Sequence, residues 1–254
     1  MDFTLKTYQF LFSVLQEQGY QFQTFSDFLE NPLKKVIILR HDVDLLPCSA
    51  LTFAKLQHEL GIKGSYYFRA VPESWDEVII QEIAAFGHEV GYHYENLTTC
   101  NGDIEKGIND FKENLQRLRK LTDIKTICMH GSPRSKYDSK DLWTKYDYKD
   151  YDIIGEPYFD IDFSDVFYLT DTGRRWDGWK VSVRDKVSQQ EEWGKEGLIF
   201  HSTKDIIKAT EEGRLPDKIM MTFHPQRWHE GFFPWLRELI FQNTKNLVKR
   251  FLVK

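Results

Sequence analysis

Two carboxylates one residue apart are the first groups in this chain able to do chemistry. Asp42 and Asp44 stand in Arg40-His41-Asp42-Val43-Asp44, directly after the apolar run 36–39. In extended chain alternate side chains share a side, so Asp42 and Asp44 point together while His41 and Val43 point away. Carboxylates that close repel, and a cation, a shared proton or an arginine must stabilise them. The plainer alternative makes Asp44 a helix cap and Asp42 the surface partner of Arg40. His93 and Glu95 form a second set, on one side if the chain stays extended there. With Asp44 they offer a carboxylate, an imidazole and a third donor, a set that suits zinc or another divalent transition metal with positions left for water. His224, in Thr-Phe-His-Pro-Gln-Arg-Trp, is held by the proline behind it, and an imidazole there suits proton donation to a leaving group. The alternative is a histidine that only caps the turn. His88 precedes its strand and is expected to be structural.

These groups must be positioned by strand ends. Apolar runs at 36–39, 65–69, 89–93, 126–129, 166–169 and 219–223 alternate with helical patterns at 48–60, 75–86, 103–121, 138–146, 205–212 and 235–252. Leu5, Tyr8, Leu11, Phe12 and Leu15 recur at helical spacing before them. Strands alternating with helices of roughly ten or more residues mean parallel strands joined by helical crossovers. No glycine-rich turn follows the first strand, which favours a barrel over an open nucleotide-binding sheet. The fold class expected is therefore α/β, a (β/α) barrel with residues 1–254 as one domain. Polar clusters follow four of the strands: Arg40 to Asp44, His93-Tyr94-Glu95, His130-Gly131-Ser132-Pro133 and His224-Pro225. In a parallel barrel all four lie on the rim where active sites are built.

Bulk properties narrow the partners. The 254 residues carry 34 basic and 39 acidic groups, net −5, without a long block of one sign, so nucleic acid is a poor expectation. No run approaches the roughly 20 apolar residues of a membrane span. Asp2 leads the chain, polar residues break its first apolar stretch, and no small-residue cleavage site follows, so no signal peptide is read. The cysteines Cys48, Cys100 and Cys128 are odd in number and lack metal-binding spacing, which suits reduced thiols and a cytoplasmic location.

In type and order these residues resemble the polysaccharide deacetylase family (carbohydrate esterase family four and its relatives). Residues 87–93, Gly-His-Glu-Val-Gly-Tyr-His, closely match that family's Gly-His-Glu-Ile-Gly-x-His motif. Asp42-Val43-Asp44 resembles the spaced form of its first motif, and His224 takes the place of the histidine after its last strand. The resemblance runs over roughly residues 36–229, with the look of a divergent branch of the type found near cell-surface glycan synthesis genes. It implies a single distorted barrel of about seven parallel strands. It also implies a metal-dependent hydrolase that removes an acetyl or formyl group from an amino sugar or glycan precursor. Asp42 would be the base, Asp44 and His93 metal ligands, and His224 the acid. The metal expected is zinc, with nickel, cobalt, manganese or iron as alternatives.

The chain departs from the family pattern in two places. Where the family has a second metal-binding histidine, four residues after the first, this chain has Leu97. Glu95 is then the expected third ligand, with His130 the alternative and Asn96 a further one. The family's arginine that steadies the base is missing from the third motif, leaving Arg134 or Arg40 for that duty. Asp171, in Leu-Thr-Asp-Thr-Gly-Arg-Arg-Trp, would take the orienting part of the fourth motif. Tyr94, Trp176, Trp179 and Trp228 are candidates to stack on sugar faces, or else core. The missing histidine motivates a rival reading, a catalytically weak or inactive glycan-binding protein on the same fold. A glycosidase with Asp42 and Asp44 as acid and base is a second rival, poorly served by carboxylates so close on one strand.

Overall fold

Seven parallel strands form the centre of the computed structural model, which describes residues 1–132, 135–178, 182 and 185–252. They are β1 (Gln21–Gln23), β2 (Val36–Val43), β3 (Ser65–Phe68), β4 (Glu89–Tyr94), β5 (Ile127–Met129), β6 (Phe167–Thr170) and β7 (Lys218–Phe223). Their order across the sheet is β5-β4-β3-β2-β7-β6, with β1 beside β2. The all-buried sequence of β2 suits the middle of a parallel sheet covered on both faces. β1 pairs with its first half, from Val36 to Ile38, and β3 takes over from Arg40 onward. The triplet of β1, Gln-Phe-Gln, is too short for its alternation to mark a strand in the sequence.

Alternation along the strands sorts side chains into two layers. Ile37, Leu39, Val43, Tyr66, Phe68, Val90, Tyr92, Tyr94, Ile219, Met221 and Phe223 pack outward under the helices. Ile38, Tyr67, Cys128, Tyr168 and Met220 pack inward with Phe25, Ile161, Phe163 and Val166. Laid flat, β5 and β6 would lie five strand spacings apart, roughly 24 Å. Yet Tyr158, three residues beyond the Gly155 that bridges to Thr126 next to β5, meets Tyr168 of β6. Both phenols donate to the Asp185 carboxylate, and both rings flank Arg40. The sheet therefore curls into a half-barrel that brings its two edges together, the barrel-like α/β architecture expected.

Helices Pro47–Glu59, Glu77–Ala85, Ile104–Arg119 and Thr203–Glu211 occupy the crossovers, and Leu5–Glu17 lies on the outer core with Tyr8, Leu11, Phe12 and Leu15 buried. Their starts are chemically marked. Asp76 and Asp103 accept the first free N–H groups, and Ser202 with Asp205 forms a capping box. The segment expected as a helix at 138–146 is instead a short 3₁₀ turn, Ser139–Thr144.

Behind β2 the outer core holds a buried imidazole. His41 is fully buried and stacks on Tyr66 with ring centroids 4.1 Å apart. Its Nδ1 faces the Ser65 carbonyl at 3.1 Å, which fixes the proton there, and its Nε2 receives the Tyr8 hydroxyl at 3.1 Å and the Gln57 amide at 2.7 Å. Burial is the main force on its pKa and drives it from 6.5 down to about 3. His41 is thus neutral when folded and protonates in the unfolded chain below 6.5. Its contribution to stability is complete above that pH and is lost as pH falls toward about 3. His41→Gln should therefore flatten the acid side of the stability profile by about one proton, roughly 1.4 kcal/mol per pH unit. Urea unfolding between these two pH values measures this, and parallel slopes in the two proteins would refute it. A second test concerns the inner layer, where a Cβ on Gly91 would overlap the Tyr67 ring and stand 2.9 Å from the Thr126 carbonyl oxygen. Gly91→Ala should cost about 1–3 kcal/mol, read as a fall in Tm.

Candidate metal centre and active site

The sheet order sets the order of the site. Across the curled sheet the strand ends present His130 after β5, His93 on β4, Arg69 after β3, Asp44 after β2, His224 after β7 and Asp171 after β6. Six adjacent strands each supply one group, and Asp44 stands near the middle of the row.

Hydrogen bonds fix the histidine tautomers. His93 Nδ1 lies 2.9 Å from the Cys128 carbonyl, which only accepts, so Nδ1 carries the proton and Nε2 presents its lone pair when the ring is neutral. His130 Nδ1 is held in the same way by Glu95 Oε2 at 2.9 Å. Both Nε2 atoms then face Asp44 Oδ1, at 3.6 and 3.5 Å. That oxygen is buried and has no hydrogen-bond partner. Three lone-pair donors directed at one another repel unless a positive charge lies between them. The donor atoms of Asp44, His93 and His130 all lie within 4.8 Å of one another, as the ligands of one small ion would. One carboxylate and two imidazoles fit a first-row divalent ion with open positions. Burial pushes the Asp44 carboxyl up, but His93, His130 and His224 outweigh it and hold the carboxyl well below its usual range.

Glu95, expected as a third ligand, is not among these donors. Its Oε1 accepts from Arg69 Nε at 2.8 Å and its Oε2 from His130. The correction has a simple cause. The chain leaves extended geometry at Glu95, the N-cap of a short helical turn, and Arg69 draws the carboxylate aside. Glu95 thus orients His130 instead of joining the cluster, an arrangement of the kind common around metal-bound histidines. Arg69 also donates to the Asp44 carbonyl at 2.9 Å, and Gln226 Nε2 donates to Asp44 Oδ2 at 3.1 Å. Neither residue was a candidate from the sequence. Arg69 ends the run 65–69 on the rim, a position that would have revealed it. Leu97 is buried and Asn96 is bonded to Tyr92 and Asp110, so neither reaches the centre.

Asp42 points into the barrel beside these donors. Arg40 clamps it bidentately, Nε to Oδ1 at 2.8 Å and Nη2 to Oδ2 at 2.7 Å, with both residues buried. The alternative of a surface pair is therefore set aside by burial. Burial would raise the Asp42 pKa, but Arg40 above all, then His93 and His224, keep the carboxyl strongly depressed and ionised. Its Oδ2 lies 3.8 Å from His93 Nε2. Arg134, the other residue expected to steady Asp42, falls outside the described residues, as does Trp179.

On the other side of Asp44, His224 Nδ1 donates to Asp171 Oδ1 at 2.6 Å, and its Nε2 stands 3.9 Å from Asp44 Oδ2. Asp171 is fully buried and also accepts from the His224 N–H, Arg227 Nη1 and Trp228 Nε1, at 3.0, 3.0 and 2.7 Å. Burial raises its pKa, yet His224 and Arg227 more than compensate and the carboxyl stays below its usual value. The aromatic candidates among the described residues do not line this site. Tyr94 alternates with the inward His93, so it is buried outward and accepts from Trp143. Trp176 is buried against Phe223, with Nε1 on Thr203. Trp228 is buried too, and acts on the site only through Asp171.

No family model matches the sequence, and no curated protein matches it either. Solved structures similar to the chain include a CE4 family pseudoenzyme from Bacillus anthracis, at 12% identity over 86% of this chain and 63% of that one, with a TM-score of 0.45. A family 4 carbohydrate esterase from Bacillus anthracis matches at 11% identity over 91% and 83%, TM-score 0.41. Bacillus subtilis PdaA, a family 4 carbohydrate esterase, matches at 14% identity over 92% and 83%, TM-score 0.39. The chain spans less than two thirds of the length of the pseudoenzyme. Likenesses this distant carry no argument about the site, and its chemistry rests on the geometry above.

Replacing the Glu95 acceptor should loosen the centre without removing a donor. Glu95→Gln is expected to weaken divalent-metal affinity about 10- to 100-fold. Competition against a chromophoric chelator measures it, and an unchanged affinity would show that His130 needs no such anchor.

Proposed function

We propose that this chain is a metal-dependent hydrolase that removes an acyl group, acetyl or formyl, from an amino sugar or glycan precursor. The observation that carries the reading is the convergence of Asp44 Oδ1, His93 Nε2 and His130 Nε2 between a clamped carboxylate and an anchored imidazole. Asp44, His93 and His130 would hold a divalent ion, zinc first among the candidates, supplying electrophilic polarisation of a carbonyl and a more acidic water. Asp42, fixed by Arg40 and kept ionised, accepts the proton of the attacking water. His224, oriented by Asp171, holds a proton at the Nε2 that faces the site and delivers it to the departing amine. Because Asp171 pairs with the imidazolium form, the His224 ring can carry that charge while buried.

The rival reading of an inactive binder drew its force from Leu97. His130 offers a donor from the neighbouring strand end, which weakens that motive. A glycosidase reading is weakened by Arg40, whose bidentate grip leaves Asp42 poorly suited to act as a neutral acid.

The test combines metal analysis with an acyl-release assay on acetylated and formylated amino sugars. Purified protein is expected to take up about one equivalent of a divalent ion, lost in His93→Ala. Asp42→Asn should keep the ion and lose hydrolysis by roughly 10²-fold or more. No metal uptake, or full activity in Asp42→Asn, would refute the proposal, as would activity that survives a chelator.

A further inference from the structure

The helix Phe232–Leu252 is amphipathic in the reverse sense for one that faces water. The side chains it buries most fully among those described are polar, Gln242 and Asn246. Gln242 Nε2 donates to Asn246 Oδ1 at 2.8 Å, and Asn246 Nδ2 donates to the Gly173 carbonyl at 2.8 Å. Outward it presents Phe233, Ile240, Phe241 and Leu247, which are 81, 60, 55 and 56% exposed. Phe233, Ile240 and Leu247 recur every seven residues and so form one stripe, which Phe241 widens. With Phe232, five of the twelve exposed large apolar side chains among the described residues lie on this helix. Single exposed apolar residues need no explanation, but a concentration on one stripe marks an interaction surface.

Charge identifies what covers it. By sequence, residues 232–254 carry five basic groups, Arg237, Lys245, Lys249, Arg250 and Lys254, and one acidic group, Glu238. The rest of the chain keeps the other 29 basic and 38 acidic groups, so this segment carries net +4 and the remainder net −9. Lys245 lays its stem along the stripe, its Nζ 4.0 Å from the centre of the Phe241 ring. No described helix is long and apolar enough to cross a membrane. An apolar stripe on a helix that carries the described Arg237 and Lys245, in a segment basic by sequence and too short in apolar run to span, is the pattern of a helix lying in the plane of a lipid interface. A two-fold contact with a second copy would instead set Arg237 and Lys245 against the same charges of the partner.

We propose that this helix docks the protein on an anionic membrane surface, with Phe233, Ile240, Phe241 and Leu247 entering the interface and Arg237 and Lys245 meeting lipid headgroups. The helix is fastened to the loop after β6, through Asn246 to Gly173 and through Arg174 to the Trp235 carbonyl, and that loop begins at Asp171. The docked surface is therefore tied to the rim that holds His224. The inference does not depend on the chemistry proposed for the site.

Co-sedimentation of the full chain with phosphatidylcholine vesicles, with and without phosphatidylglycerol, tests this. Binding is expected only with phosphatidylglycerol, weaker at high salt, and about tenfold or more weaker in a Phe233→Ser, Ile240→Ser, Leu247→Ser variant. That variant changes only exposed side chains, so its circular dichroism and metal content should match the parent's. No binding to anionic vesicles would overturn the proposal. So would a dimer in solution that the variant dissolves, which would make a second copy the cover of the stripe.

Discussion

The site depends on one repulsion. Two imidazole Nε2 atoms and a buried carboxylate oxygen face one another, lone pair to lone pair when the rings are neutral, and each is held there because its other side is fastened. The Cys128 carbonyl fixes His93, Glu95 fixes His130, and Gln226 takes the other oxygen of Asp44. Arg69 braces Glu95 and the Asp44 backbone together. With neutral rings, folding thus gathers unfavourable electrostatics at one point, which a bound cation would relieve. The parallel sheet makes this possible, since it sets six strand ends side by side on a single edge.

Asp44 also divides the row by function. Toward β4 and β5 lie the donors that suit a metal, and toward β7 and β6 lies an imidazole backed by a carboxylate suited to moving a proton. Asp42 sits one step deeper, on the inward face of β2, where Arg40 compensates its burial. Arg40 is itself flanked by Tyr158 and Tyr168, from the two edges of the sheet. The curl that closes the fold and the clamp that keeps Asp42 ionised therefore share one guanidinium.

Much of this was legible because strands alternate with period two and because polar residues after buried runs gather on one rim. That logic set Asp42 and Asp44 on one side and His41 on the other. It also implied that Tyr94, next to an inward His93, must face outward, so its candidacy as a sugar platform conflicted with the chain's own alternation. What local pattern did not carry was adjacency between distant segments. His130 reaches the centre because β5 lies beside β4, and Glu95 turns away because Arg69 arrives from β3. Trp176 and Trp228 lie in loops, where no periodicity reports burial. The reversed dressing of the last helix was hidden as well, since a helical pattern shows that one face is apolar and not which way that face turns.

The strand order also arranges assembly in time. Every donor suited to the metal is encoded between residues 44 and 130, on strands that pair with their sequence neighbours from β2 to β5. The half that holds His224 waits for β7, whose Met220 joins Ile38 across 182 positions of chain. Local pairings form quickly and distant ones pay a larger loop-closure cost. During synthesis the nascent chain thus carries all three candidate ligands before the imidazole proposed as the acid is made, and an ion captured early would steady the half-sheet onto which β7 must later close.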